Sequence, residues 1–399
     1  MSSLTASAYD LHDFDRMFAD EARTGPYMAA IAAAVRPGDV VVEIGTGTGY
    51  FAVACVRAGA RHVYAIEVNP AVAVGPAVAE ANGCADRITF IHGFSTRVDL
   101  PERGDVLLED LRGLLPFLWG RIPSLVDARE RLLKPGARLI TQRDELFAAP
   151  CRVPARVSRL LGLHGDAAYG INREPVAQRL RSNVHRGHIV PDDLLASATR
   201  WAEFDYALVR DPAVDGQCAW VLERGGAFDG FAVWFNSELF GGHWILNEPG
   251  AAQTVYGQAF FPLERPLEAA AGDRVTLDFR ARRVGEGYVY AWDTTHEPAS
   301  GGSMTRFRQS TLGASLPLSL DALRRRHSTH RPAPGASADV VREMLALADG
   351  TRSFDDIGAL LAAHHPQRFS SAADAVSYCT AMLAELEDED AGPSRREDA

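Results

Sequence analysis

Residues 39–50, DVVVEIGTGTGY, restrict this chain more than any other stretch. A continuous apolar run reads as a strand buried on both faces, the kind found inside a parallel sheet. Three glycines in five positions then turn the chain sharply before a helix begins at Tyr50. The same rhythm repeats along the next hundred residues. Residues 62–67 read as a second strand, 71–81 as a helix, 87–92 as a third strand and 105–108 as a fourth. A helix over 122–133 is closed by Lys134-Pro135-Gly136, and 137–141 reads as a fifth strand. Residues 10–35 read as one helix before the break at Pro37-Gly38-Asp39. Strands alternating with helices at this spacing make residues 1–147 a doubly wound, Rossmann-like parallel sheet.

The glycines carry chemistry as well as geometry. Gly45, Gly47 and Gly49 let the backbone approach a ligand at the N-terminus of a helix, where free N–H donors point outward. Glu67 follows Gly45 by 22 residues and ends the next strand. A carboxylate there suits both hydroxyls of a ribose. Loop and acid together do not separate a nicotinamide dinucleotide from S-adenosylmethionine. The loop, however, is GxGxG, and Tyr50 stands where the dinucleotide fingerprint has room before its last glycine. This favours S-adenosylmethionine.

Beyond residue 147 the pattern changes. Short strand-like runs at 218–223, 230–236, 259–262, 274–280 and 288–292 alternate with turn residues, as in an antiparallel barrel or sandwich over 148–330. Residues 331–338 are a Pro/Ala/Gly linker, 339–388 a small helical domain, and 389–399 a charged, disordered tail. The formal net charge of −11 argues against general binding of nucleic acid or anionic membrane. No apolar run approaches the ~18 residues of a membrane span. The first 23 residues lack a basic and an apolar region, so no signal peptide is expected. Five widely spaced cysteines without a CxxC indicate neither a disulfide framework nor zinc, and reduced thiols imply a cytoplasmic setting. His185 and His188 form an HxxH pair with no third ligand at a suitable spacing, so no metal is expected.

Several ordered motifs resemble the protein arginine N-methyltransferase family, over about residues 8–293. Met17 and Asp20-Glu21-Ala22-Arg23-Thr24 with Tyr27 look like the family's N-terminal helix, which folds over the cofactor. Val42-Glu43-Ile44-Gly45-Thr46-Gly47-Thr48-Gly49 looks like the cofactor loop. The run 59–67 looks like the strand that ends in the ribose acid. Gln258-Ala259-Phe260-Phe261-Pro262-Leu263 resembles a barrel strand, and Tyr169-Gly170-Ile171-Asn172 falls where a dimerisation arm, near 155–175, would lie. The resemblance implies a Rossmann-like domain followed by that barrel, and a homodimer. It also implies an S-adenosylmethionine site formed by Met17, Arg23, Glu43, Gly45, Gly47, Gly49 and Glu67. Arg23 would bind the cofactor carboxylate, and Thr96 falls at the adenine-binding position.

The acceptor side departs from the family pattern. Two glutamates that clamp a substrate guanidinium in the family fall here at Asp110 and Trp119. The Thr-His-Trp loop becomes Thr254-Val255-Tyr256. A guanidinium binds bidentately to carboxylates in a planar fork, and one shortened carboxylate beside an indole does not supply it. Methyl transfer needs an uncharged nucleophile in line with the methyl group. Asp110 is expected to orient that nucleophile, with the adjacent Glu109 diverging from it. Trp119 would form an aromatic wall for an amine, and Tyr256 a second wall or a hydroxyl contact. Arg112, in the same hairpin, reads as solvated. Residues 341–357 resemble a winged-helix-like domain that recognises leader peptides beside enzymes modifying ribosomally made peptides. The expectation is an S-adenosylmethionine-dependent N-methyltransferase acting on an amine of a peptide or natural product. The alternatives are a protein arginine methyltransferase whose catalytic clamp is rebuilt from Glu109 and Asp110, and a cofactor-binding scaffold without activity.

Overall fold

The computed structural model describes residues 9–117, 120–154, 157, 158, 161, 171–284, 287–312, 324, 325 and 328–383. Helices α1 (Leu11–Ala19) and α2 (Glu21–Ala34) replace the single helix expected over 10–35. The chain breaks at Asp20, whose backbone is extended and whose carboxylate accepts the Arg23 N–H at 3.2 Å. An aspartate that caps a new helix in this way competes with continuation of the old one.

The five-stranded parallel sheet has the order β3-β2-β1-β4-β5. Its strands are β1 (Val40–Ile44), β2 (His62–Glu67), β3 (Ile88–His92), β4 (Gly104–Glu109) and β5 (Leu133–Leu139). Every residue of β1 is buried, as the run VVVEI demands of a central strand. Helix α3 (Tyr50–Arg57) follows the glycine loop, α4 (Gly75–Ala81) follows β2, and α5 (Arg121–Asp127) precedes β5. The helix read over 122–133 ends early, in a π-helical turn at Ala128–Leu132. Register pairs Ile44 with both Ile66 and Glu109. The C-terminal ends of β1, β2 and β4 therefore lie side by side, where the strand order reverses and ligands bind.

Two antiparallel sheets follow, in the barrel part of the fold. The first has the order β7-β12-β10-β6-β8, with β11 (His243–Leu246) added on β10. Its strands are β6 (Thr141–Cys151), β7 (His185–Gly187), β8 (Thr199–Asp205), β10 (Gly226–Leu239) and β12 (Gln258–Ala269). The second pairs β9 (Val214–Val221), β13 (Arg274–Val284), β14 (Gly287–Glu297) and β15 (Thr305–Ser310). On β13, Val275, Leu277, Phe279 and Ala281 point inward at every second position. Strand β6 runs through residue 147, so the antiparallel part begins just after β5. Parallel and antiparallel parts share one hydrophobic core and form one compact unit, Met1–Pro317.

The second unit, Leu318–Ala399, contains α7 (Ala336–Leu347), α8 (Phe354–His364) and α9 (Ala372–Leu383), numbered after α6 (Glu174–Leu180). Its own core gathers Met344, Ile357, Leu361, Ala375 and Cys379. Ser353 and Asp356 form a reciprocal capping box at the start of α8.

Candidate active site

The glycine loop sits between β1 and α3. Gly45 and Gly47 have φ of 81° and 57°, where a side chain would be strained. A Cβ on Gly47 would meet the Phe14 ring at 2.6 Å, so α1 closes directly over the loop. Glu67, at the end of β2, accepts the Gly47 N–H at 2.9 Å on one carboxylate oxygen and the Asn69 N–H at 2.8 Å on the other. Two carboxylate oxygens offer about four acceptor positions, so capacity remains for a ligand hydroxyl. Burial pushes its pKa up. Glu43 is buried on β1 and accepts from the Thr46 hydroxyl at 2.8 Å; burial pushes its carboxyl to about 8. Both glutamates line one cavity with Met17, Arg23, Gly45, Glu109 and Asp110. These groups suit S-adenosylmethionine: a carboxylate for the ribose diol, glycine backbone for close approach, and a guanidinium for the amino-acid carboxylate. Thr96 is exposed on the turn after β3 and does not line this cavity.

Arg23 stands where the cofactor side meets the acceptor side. Its Nη2 lies 2.6 Å from Asp110 Oδ2, its Nε donates to the same oxygen at 2.7 Å, and its Nη1 donates to the Met17 carbonyl at 2.9 Å. The Tyr256 hydroxyl also donates to Asp110 Oδ2, at 2.6 Å. The Tyr256 hydroxyl is thereby engaged with Asp110 and also accepts from Arg23 Nε at 3.2 Å. The Val255 N–H donates to Asp20 at 2.7 Å, tying the altered loop to the break between α1 and α2.

Arg112 corrects the sequence reading: its side chain is wholly buried. Nη1 donates to Asp110 Oδ1 at 2.9 Å and to the Tyr27 hydroxyl at 2.5 Å. Nε pairs with Asp144 on β6 at 3.1 Å, and Nη2 donates to Ser237 on β10 at 2.5 Å. Glu109 does diverge from Asp110. It faces Arg121, which grips it bidentately, Nε to Oε2 at 2.9 Å and Nη2 to Oε1 at 2.7 Å. Arg121 Nη1 reaches Asp144 at 2.9 Å, and the Tyr206 hydroxyl donates to Asp144 at 2.6 Å. The guanidinium groups of Arg23 and Arg112 hold Asp110 down at about 2 against its burial. Sequence reasoning missed Arg121, Asp144, Tyr206 and Ser237; the one local signal is Arg121, a charged residue set inside an apolar stretch.

Trp119, Tyr169 and Gly170 lie outside the described residues. His185 is buried against the Leu180 carbonyl at 2.8 Å while His188 is exposed, so the two do not converge. Among the described residues, no group of histidine, cysteine and acidic side chains is gathered as for a metal ion.

Comparison with known proteins bears on this geometry. Residues 16–108 match the family model of the TRM5/TYW2 methyltransferase domain. Probable protein arginine N-methyltransferase 6 of Arabidopsis thaliana is 28% identical over 236 residues, covering 57% of this chain and 54% of the relative. Protein arginine N-methyltransferase 6 of Xenopus laevis is 25% identical over 282 residues, 67% of this chain and 83% of the relative. The chain spans about half the length of the first curated relatives it matches. Among solved structures, protein arginine methyltransferase 10 of Arabidopsis thaliana superposes with a TM-score of 0.68 at 21% identity, covering 77% of this chain and 99% of that one. The Trypanosoma brucei PRMT1 enzyme–prozyme complex with AdoHcy gives 0.69 at 19% identity, with the same two coverages. The fold is thus that of these solved methyltransferases, and residues 16–108 match a methyltransferase domain. Among methyltransferases, the chain is similar to the protein arginine N-methyltransferases.

Proposed function

We propose that the chain transfers the methyl group of S-adenosylmethionine to an uncharged amine carried by a polypeptide. When bound, the cofactor supplies a methyl group on a sulfonium. Glu67 and the glycine loop hold the nucleoside, and Arg23 takes the amino-acid carboxylate. Asp110 and Tyr256 orient the acceptor nitrogen.

The observation that carries this reading is the state of Asp110. Both of its oxygens already accept from the protein's own guanidinium groups, Arg23 on Oδ2 and Arg112 on Oδ1. No open carboxylate fork remains there for a substrate guanidinium. The small helical unit, with its likeness to leader-recognition domains, supports a ribosomally made precursor peptide as the acceptor's carrier. A homodimer through the arm near 155–175 belongs to the same proposal and rests on the family resemblance. A cytoplasmic setting is proposed on cysteine usage, the five cysteines being buried free thiols. No helix among the described residues is long and apolar enough to cross a membrane.

A second reading is methylation of arginine. The curated relatives are named arginine methyltransferases, and on likeness to known proteins this reading is the better supported of the two. Incubation with labelled S-adenosylmethionine and a peptide bearing both an arginine and a free amine separates them by fragmentation mass spectrometry. Label on the amine is expected. Label on the guanidine group would overturn the first reading in favour of the second, and cofactor binding without transfer to either would overturn both.

A further inference from the structure

We propose that Arg112 is the residue that fixes the class of acceptor: its guanidinium occupies Asp110 from inside the protein and closes that carboxylate to a substrate cation. This rests on the amine reading above. Arg112 lies two residues beyond Asp110, and its side chain is held on every donor. Asp110, Tyr27, Asp144 and Ser237 fix it in one place. Arg23 and Tyr256 engage the other oxygen of Asp110.

Charge makes the same point. Glu109, Asp110 and Asp144 are faced by Arg23, Arg112 and Arg121, each of these side chains no more than 9% exposed. Three carboxylates and three guanidinium groups cancel. A substrate guanidinium stays protonated and would bring an uncompensated charge into a buried site. An alkylammonium leaves its proton to solvent on entry, as a guanidinium does not, and the neutral amine then brings none. In the transfer, the nitrogen lone pair forms the N–C bond as the C–S bond breaks. Sulfur keeps the electron pair, and the resulting N-methylammonium releases its proton to water. Asp110, held ionised by two guanidinium groups, orients the nitrogen and does not take the proton.

Two peptides differing only in arginine or ornithine at one position provide the test, with full-length enzyme and S-adenosylhomocysteine formation as the readout. Wild type is expected to favour ornithine. The variant Arg112→Met removes one positive charge from this network and frees Asp110 Oδ1. Its kcat/KM ratio should move toward arginine by roughly tenfold or more. Arg112→Lys, which keeps a cation at this place, should retain the ornithine preference, a rescue that a merely structural role would not give. If that variant does not fold, Arg112→Gln carries the same expectation, because it removes the charge while keeping a donor toward Ser237. A folded variant, with unchanged cofactor affinity and an unchanged ratio, would overturn the role of Arg112 alone. A wild-type preference for arginine would overturn the amine reading itself, before any variant is made.

Discussion

At the scale of single residues, Glu43 and Glu67 show how one cavity gives two carboxylates different duties. Glu43 holds its proton to about pH 8 because it is buried on the central strand with only the Thr46 hydroxyl as donor. A carboxyl whose folded pKa lies above its ordinary value of about 4.3 adds stability below that value, and the contribution is lost as pH rises toward the folded pKa. Glu43→Gln keeps an acceptor for Thr46 and cannot ionise. Its melting temperature should match wild type near pH 4 and exceed it at pH 8, by the equivalent of about 3–5 kcal/mol. Glu67 is half satisfied by backbone donors and offers the rest to ligand hydroxyls. Glu67→Ala removes two charge-assisted bonds worth about 1.5–3 kcal/mol each, so calorimetry should show S-adenosylmethionine affinity falling at least roughly tenfold. Glu67 was legible because a strand, a glycine loop and a second strand fix its spacing. Arg112 was not legible. Its partner Asp144 is 32 residues away on a strand of another sheet, and an arginine in a hairpin without a visible partner reads as solvated.

Among the elements, α1 depends most on its surroundings. None of its residues is buried, yet Phe14 lies over Gly47 and Met17 lines the cavity. An element with so little burial opens at low cost unless a ligand lies beneath it. Backbone amides of Leu11–Ala19 should exchange rapidly in the free protein and slow by about tenfold or more with S-adenosylhomocysteine; hydrogen-exchange mass spectrometry reads this directly. The parallel sheet was readable because β1, β2 and β4 are nearly continuous apolar runs. The sequence places β5 at 137–141, because Lys134-Pro135-Gly136 reads as a turn, whereas the strand begins earlier, at Leu133. The antiparallel strands were found only in their apolar centres: the run at 230–236 is the middle of β10, Gly226–Leu239. Strands β6, β8 and β15 carry charged residues that interrupt any apolar run, and β7 and β11 are only three and four residues long, so none of these reads as a strand from sequence. On β6 the buried Asp144 stands among Arg143 and Glu145, and only pairing with β10 and β8 shows which face turns inward. The break between α1 and α2 was present in the sequence as Asp20, a capping residue without a glycine or proline to announce it.

For the whole molecule, the division at residue 317 carries a clear expectation. Each unit has its own core, so a chain ending after Pro317 should remain folded, bind S-adenosylmethionine as before and methylate a short acceptor unchanged. If the helical unit holds a leader peptide, the truncated chain should lose only the tethering advantage, seen as a raised KM for a full-length precursor; tethers of this kind act as roughly millimolar local concentrations. Equal losses on long and short acceptors would mark the unit as structural support instead. The helical unit's existence was legible from its apolar periodicity and its Ser353 cap, whereas its ligand is written in surface shape that one sequence does not disclose. The buried network joining the cofactor cradle to the barrel defines what the acceptor can be. The most direct measurement is the wild-type kcat/KM for matched amine and guanidine acceptors at saturating S-adenosylmethionine. A preference for the amine by roughly tenfold or more is expected from a clamp already filled by Arg23 and Arg112. Equal or greater efficiency on the guanidine would contradict it, and would mean that these internal arginines yield Asp110 to the substrate.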